Sequence, residues 1–147
     1  MIRYNIHDLV EVSVDERTAV ALRNAIAFQI GYFRVDERVD QIPSRIVVRP
    51  YDDWNLLRPE PAQRFCQCNG GDGLWTDDPQ RRVAYLKDAA GYRVFADTPA
   101  FPVNLLIQCL LVSHGVSLVH AAAVANDAGA VTLLPGPAGV GKTALVG

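Results

Sequence analysis

The sequence has 147 residues, of which half are hydrophobic and a fifth are charged, as in an ordinary globular protein and unlike a disordered chain. Its 14 Lys and Arg residues against 16 Asp and Glu residues give a formal net charge of -2, which removes the electrostatic case for binding to nucleic acid or to a membrane. It has no apolar run of the roughly 18 residues that span a membrane, no apolar signal segment and no cysteine framework. We therefore expect a globular, cytoplasmic protein.

The first fifty residues contain three short patterns. Residues 9–14 alternate apolar and polar side chains, which predicts a short strand. Residues 16–30 are rich in Ala, Leu, Arg and Asn, and the partly helical spacing of their apolar positions favours a helix. Residues 45–49 place Ile-Val-Val between two arginines, which predicts a buried strand that Pro50 ends.

The next fifty residues are less periodic. Residues 51–80 contain several prolines and the glycine cluster 69–73, so we interpret them as loop and turn. Residues 82–87 and 92–96 flank an Asp-Ala-Ala-Gly segment and predict a β-hairpin. Residues 1–100 are thus predicted to form an N-terminal region of mixed α+β structure to which the sequence assigns no role.

The last part of the chain carries very little charge, and its elements are clearer. Residues 103–112 predict an apolar helix, which Gly115 ends. Residues 116–125 and 130–134 then predict two strands joined by a turn. The second strand would lead the chain directly into the next motif.

The segment after this strand matches the phosphate-binding loop pattern G-x-x-x-x-G-K-[ST]. Glycines let successive backbone N–H groups converge on a phosphate, Lys142 supplies positive charge to the β- and γ-phosphates, and the Thr143 hydroxyl is the expected Mg²⁺ ligand. ATP and Mg²⁺ are the predicted cofactors, and residues 101–147 are predicted to begin a P-loop nucleotide-binding domain. The predicted nucleotide-binding residues, with Thr143 also as the metal ligand, are Gly136, Pro137, Ala138, Gly139, Val140, Gly141, Lys142 and Thr143.

Four residues follow Thr143, which leaves no room for the helix and the next strand of a P-loop unit. A downstream acid to hold Mg²⁺, a catalytic base and a transition-state arginine also have no place, so no catalytic residue is assigned. We expect the sequence to be the front part of a longer protein that is cut just after its phosphate loop. The 147-residue chain by itself is then expected to be inactive in phosphoryl transfer.

Residues 105–147 resemble the start of the catalytic domain of the HPr serine kinase/phosphorylase family and its looser relatives. The resemblance is carried by Gly115, by residues 118–124 with their histidine, and by residues 131–143, which contain the loop. It implies an α/β fold with an ATP-binding core related to the ATP-dependent phosphoenolpyruvate carboxykinases, and a serine kinase or phosphotransferase activity. The family usually has serine where this chain has Ala138, which favours the HPr kinase-like relatives over true HPr kinases.

Two other functions are compatible with the same motif. One is a binding module in which the nucleotide regulates the protein and residues 1–100 contact a partner protein. The other is a fragment of a P-loop ATPase that hydrolyses ATP rather than transferring its phosphoryl group. The expected partners are therefore a nucleotide and a protein substrate or partner, with neither nucleic acid nor membrane.

Other residues that could carry chemistry have simpler interpretations. His120 is interpreted as a hydrogen-bonded core residue, with contact to nucleotide or substrate as the alternative. Cys109 lies in the predicted apolar helix, and we expect its side chain to be buried in the protein core. Cys66 and Cys68 form a single Cys-x-Cys, which has too few ligands for a structural zinc site. The glycine cluster 70–73 is interpreted as a flexible turn.

Overall fold

The computed structural model describes residues 1–57, 65–68, 71–76, 82–89, 91–98, 103–117, 119 and 121–136. For 65–68 and 71–76 it describes the backbone. Within this part of the chain, the protein is mixed α/β, with a large strand-rich sheet and few helices. The chain divides into two compact units, Met1–His114 and Gly115–Gly147. None of the helices in these ranges combines the length and the apolar character that crossing a bilayer requires.

The first unit contains one eight-stranded sheet and three α-helices among the described residues. The strands are β1 (Ile2–Ile6), β2 (Val10–Val14), β3 (Arg34–Val35), β4 (Ser44–Arg49), β5 (Phe65–Cys68), β6 (Gly71–Thr76), β7 (Val83–Asp88) and β8 (Gly91–Ala96). The helices are α1 (Val20–Ile30), which continues into a 3-10 turn at Gly31–Phe33, α2 (Asp52–Asn55) and α3 (Val103–Ser113). The strand order is β3-β1-β2-β4-β8-β7-β6-β5, with β2–β4 and β4–β8 parallel and the other pairs antiparallel.

One face of the central strands forms the main core. The register places Val12 beside Tyr4 and Ile46, and all three side chains are buried. α3 contacts β2, and the side chain of Ser44, which shares this face, is hydrogen-bonded to His114 just after α3. We infer that α3 lies over this face. Each of the two long helices buries a stripe spaced by four residues, as amphipathic helices do: Leu22, Ile26 and Ile30 in α1, and Val103, Ile107 and Leu111 in α3.

A second apolar cluster lies on the opposite face of the same sheet. Phe95 follows Val94, so its side chain points away from the main core, and it pairs in register with Ala84. Trp54 of α2 packs on Phe95 with 5.7 Å between the ring centroids. Both faces of the sheet are therefore covered here, and the short helix α2 is fixed by the apolar surface that its tryptophan buries.

An ion cluster joins the turn after β2 to α2. The Arg17 guanidinium lies 2.8 Å from a carboxylate oxygen of Asp15 and 2.8 Å from one of Asp53. The hydrogen bonds from Arg17 lower the pKa of Asp15, because they stabilise its ionised form. The Arg17 side chain is mostly exposed, so the cluster orients the turn and α2 but adds little to the free energy of unfolding.

The second unit contains a β-hairpin, β9 (Ala121–Ala125) and β10 (Val131–Pro135), in an antiparallel register that pairs Val131 with Ala125. Asn126 forms the turn, since its side-chain oxygen accepts the backbone N–H groups of Ala128 at 3.1 Å and Ala130 at 2.9 Å. Most side chains of both strands are exposed within this unit.

Several predicted elements are confirmed with small shifts of their ends. β2, β4, the β7–β8 hairpin and α3 lie where the periodicity predicts them. The predicted helix over residues 16–30 begins only at Val20. The predicted strand over 116–125 is shorter, because Val116, Ser117 and Val119 lie outside β9.

The prediction of loop and turn for residues 51–80 was wrong in the described part. This stretch contains α2, β5 and β6, and Gly71 and Gly73 of the supposed flexible turn lie inside β6. β6 pairs with β5 on one side and with β7 on the other. The hydrogen bonds to these two strands therefore hold β6 as a strand, although its sequence lacks an alternation of apolar residues. The prediction for Cys109 was also wrong, because this side chain is exposed on α3.

Candidate functional site

The strand β10 delivers the chain to the phosphate-binding motif. β10 ends at Pro135, which pairs with Ala121 at the start of β9, and Gly136 follows directly. A strand immediately before the first glycine is the local context in which such a loop works, because the strand fixes where the loop begins. The predicted order of strand, turn, strand and motif is thus present as far as Gly136.

The turn of the hairpin explains why the sequence folds in this way locally. The Asn126 backbone N–H donates to the Ala130 carbonyl at 3.0 Å, and the Gly129 N–H donates to the Asn126 carbonyl at 2.9 Å. Gly129 has a φ of 78°, a conformation that glycine adopts without steric cost. The Asn-Asp-Ala-Gly sequence therefore fixes the register that places Pro135, and with it the start of the motif.

Of the predicted nucleotide-binding residues, the structure describes Gly136, which is partly buried. The other predicted residues lie outside the described residues: Pro137, Ala138, Gly139, Val140, Gly141, Lys142 and Thr143. His120, the alternative contact to nucleotide or substrate, lies outside them as well. The chemistry assigned to the loop consequently stays a prediction from its residue types.

The described residues contain no group of three or more His, Cys, Asp or Glu side chains that could hold a metal ion. Cys66 and Cys68 lie on β5. Asp52 and Asp53 occupy the first turn of α2. There, Asp53 pairs with Arg17, so its role is structural.

The first unit also contains a groove that the sequence did not indicate. It lies between α3 and the β7–β8 hairpin, has a volume of about 650 Å³, and is called here the α3 groove. Its walls include Ser44, Arg45, Lys87, Tyr92, Leu106 and Leu110. These residues come from three distant parts of the chain, and the only local signal is the spacing of Leu106 and Leu110 on one side of α3.

Comparisons of the chain with models of protein families, with curated proteins and with solved structures found no match. No family is therefore shown for this chain, and the resemblance to the HPr kinase-like proteins stays a prediction. The functional interpretation depends on the residues of the chain itself and on the elements around them.

Proposed function

We propose that the chain provides the ATP-binding portion of an HPr kinase-like serine kinase or phosphotransferase. The observation that carries this proposal is the sequence Gly-Pro-Ala-Gly-Val-Gly-Lys-Thr at residues 136–143, which begins one residue after β10 ends at Pro135. This combination is more specific than the motif alone, because a glycine-rich turn with an incidental Lys-Thr need not follow a strand.

The residue types of the loop fit a nucleoside triphosphate with its metal. Backbone N–H groups in a glycine-rich bend form a concave anion site. The flexible side chain of Lys142 adds a positive charge that can follow the phosphate oxygens. The hydroxyl of Thr143 is a hard oxygen ligand of the kind that Mg²⁺ accepts beside phosphate oxygens and water. Mg²⁺, when bound, neutralises charge on the β- and γ-phosphates.

The acceptor of the phosphoryl group is proposed to be a hydroxyl, either on a protein serine or on a small molecule. In this proposal, the loop residues bind and orient the nucleotide, while the groups that activate the acceptor come from residues not assigned here. The 147-residue chain is accordingly expected to bind Mg-ATP without turnover, because no group that activates the acceptor is assigned in it.

Calorimetric titration of the full chain with Mg-ATP tests the binding step. We expect measurable binding weaker than micromolar, and a loss of at least about tenfold in affinity for Lys142→Ala, because a charge-assisted contact to phosphate is removed. The matched control is Arg34→Ala, which removes an exposed cation from the first unit. Equal affinity for Lys142→Ala and the original chain would reject the assigned phosphate contact.

A second measurement separates the proposed kinase from the two alternatives. Phosphate release from Mg-ATP by the chain alone, without any acceptor, would favour the P-loop ATPase. Binding of Mg-ATP without turnover agrees with both the kinase portion and the regulated binding module. Transfer of labelled phosphate to a hydroxyl substrate by a longer chain would then support the kinase and exclude the binding module. The Lys142→Ala change should abolish that transfer.

A further inference from the structure

The α3 groove has the dimensions of a binding site for a small molecule. Its volume of about 650 Å³ falls within the range of roughly 300–1,000 Å³ that ligand pockets occupy. It lies wholly in the first unit, and it uses none of the residues of the phosphate-binding motif. The proposal for this groove therefore does not rest on the nucleotide proposed above.

A hydrogen bond beside the groove joins two of the elements that form it. The Ser44 hydroxyl lies 3.1 Å from Nε2 of His114, which joins the beginning of β4 to the residue after α3. The Ser113 hydroxyl also donates to the Leu110 carbonyl at 2.7 Å and closes the last turn of α3. With the helix end and the strand joined in this way, the groove is formed before any ligand arrives, which lowers the entropic cost of binding.

The other wall is fixed by a close approach of two strands. Gly91, at the start of β8, lies so near β4 that a Cβ atom there would be 2.6 Å from the Arg45 carbonyl oxygen. The hairpin therefore cannot move closer to β4, and it cannot move away without breaking the parallel pairing of β4 with β8. Lys87 and Tyr92, which pair across the hairpin, are held at the rim by this arrangement.

The charges in the groove favour an anion. Lys87 is exposed, forms no ion pair with any described residue, and has its Nζ atom 5.6 Å from the centroid of the Tyr92 ring. Arg45 also lines the groove, but its guanidinium is held by the carbonyl oxygens of Val39 at 3.1 Å and Asp40 at 3.0 Å. Its register partner on β2 is Glu11, so Lys87 is the cation offered to a ligand.

Two carboxylates oppose these cations. The carboxylate of Asp88 is already paired with Arg93, so its negative charge is neutralised and does not repel an anion in the groove. Asp40 provides the other carboxylate among the residues that line the groove, and it lies in the segment before β4, whereas Lys87 lies on the β7–β8 hairpin. The carboxyl end of α3 adds partial negative charge, which places an anionic group at the Lys87 side rather than near Ser113.

The remaining surface of the groove is apolar. Leu106 and Leu110 are four residues apart on α3, so they form one side of the helix, and both are partly exposed. Tyr92 lines the groove from the hairpin side. A ligand that covered these side chains would be stabilised by the removal of their apolar surface from water.

We propose that the α3 groove binds a small organic anion with an apolar body, with the anionic group at Lys87 and the apolar body along Leu106 and Leu110. A medium-chain carboxylate is the simplest molecule with this chemistry. Octanoate is therefore the probe, and octan-1-ol and octylamine are its neutral and cationic counterparts of equal chain length.

The experiment titrates the full chain with each probe and follows heat or backbone NMR shifts. We expect saturable 1:1 binding of octanoate, with shifts confined to β4, the β7–β8 hairpin and α3, and affinity for octylamine at least about tenfold lower. Absence of saturation, equal binding of octylamine, or shifts mainly in the exposed hairpin β9–β10 would overturn the proposal.

Two variants locate the two parts of the ligand. Lys87→Gln should weaken octanoate binding at least about fivefold and leave octanol binding unchanged, because only the charged contact is lost. Leu106→Gln should weaken both probes. Arg34→Gln removes an exposed cation away from the groove and should change neither affinity. Each variant is first checked for an unchanged unfolding midpoint, and unchanged octanoate binding by a folded Lys87→Gln protein would refute the assignment.

Discussion

Replacement of Gly91 by alanine would test whether the contact between β4 and β8 is as close as the structure indicates. Gly91 opens β8 with a φ of 122°, a backbone conformation that residues with a side chain rarely adopt. A Cβ atom at this position would meet the Arg45 carbonyl oxygen at 2.6 Å. Because that oxygen belongs to the backbone of a central parallel strand, it cannot move aside as a flexible side chain would.

Two contributions set the expected loss of stability. The unfavourable backbone conformation costs of order 1–3 kcal/mol, and forcing a backbone shift in a well-packed region costs a further 1–3 kcal/mol or so. We therefore expect Gly91→Ala to lower the free energy of unfolding by about 2–6 kcal/mol. Such a loss is a large part of the roughly 5–15 kcal/mol that stabilises an ordinary domain.

Two other glycines separate these contributions. Gly115 has a φ of 75° with nothing within 4 Å of an added Cβ atom, so Gly115→Ala should cost only the backbone term, about 1–2 kcal/mol. Gly31 has a φ of -58° and is equally open, so Gly31→Ala should be neutral or stabilising by about 0.4–1 kcal/mol.

Urea unfolding followed by circular dichroism and tryptophan fluorescence measures all three free energies. The two tryptophans, Trp54 and Trp75, lie in the first unit, so fluorescence reports on the sheet that contains Gly91. The order of stability should be Gly31→Ala, then Gly115→Ala, then Gly91→Ala. If Gly91→Ala were no less stable than Gly115→Ala, the close approach of β8 to the Arg45 carbonyl would be refuted.

Two further predictions concern pH. Burial raises the pKa of Tyr85 from 10.0 to about 12 in the folded protein, so the folded state keeps this proton longer and stability should fall as the pH rises from 10 towards 12. Ultraviolet titration should show a phenol that ionises near pH 12, and Tyr85→Phe should lack it; a Tyr85→Phe protein with the same late phase would contradict the assignment. Arg17 lowers the pKa of Asp15 below 3.8, so their interaction stabilises the fold above that pH and is lost as the pH falls through the lower folded-state pKa. Arg17→Met should flatten the acid side of the curve of unfolding free energy against pH, and identical acid sides for the two proteins would show that the ion cluster contributes nothing.

Local patterns in the sequence were enough to predict those elements that have a clear period or a clear stop. The alternation in β2 and the spacing of the apolar residues of α3 each give such a signal, and Gly115 marks the end of the helix. β1 shows the same alternation in Ile2, Tyr4 and Ile6, but the charged and polar residues around it obscured the pattern. The phosphate-loop pattern was also predicted from the sequence, because such a pattern is defined by residue types at fixed spacing.

Tertiary structure decided the features that depend on residues distant in the chain. The strand β6 has no apolar alternation to identify it, and its conformation is set by hydrogen bonds from β5 and β7. Cys109 is exposed because α3 meets the sheet through another side of the helix, which the apolar character of the whole helix could not reveal. Ser44 and His114 are 70 residues apart and meet only when α3 lies over the start of β4. The sequence by itself therefore predicted the phosphate-loop pattern and determined most of the regular elements, whereas the α3 groove exists only because the tertiary structure brings β4, the β7–β8 hairpin and α3 together.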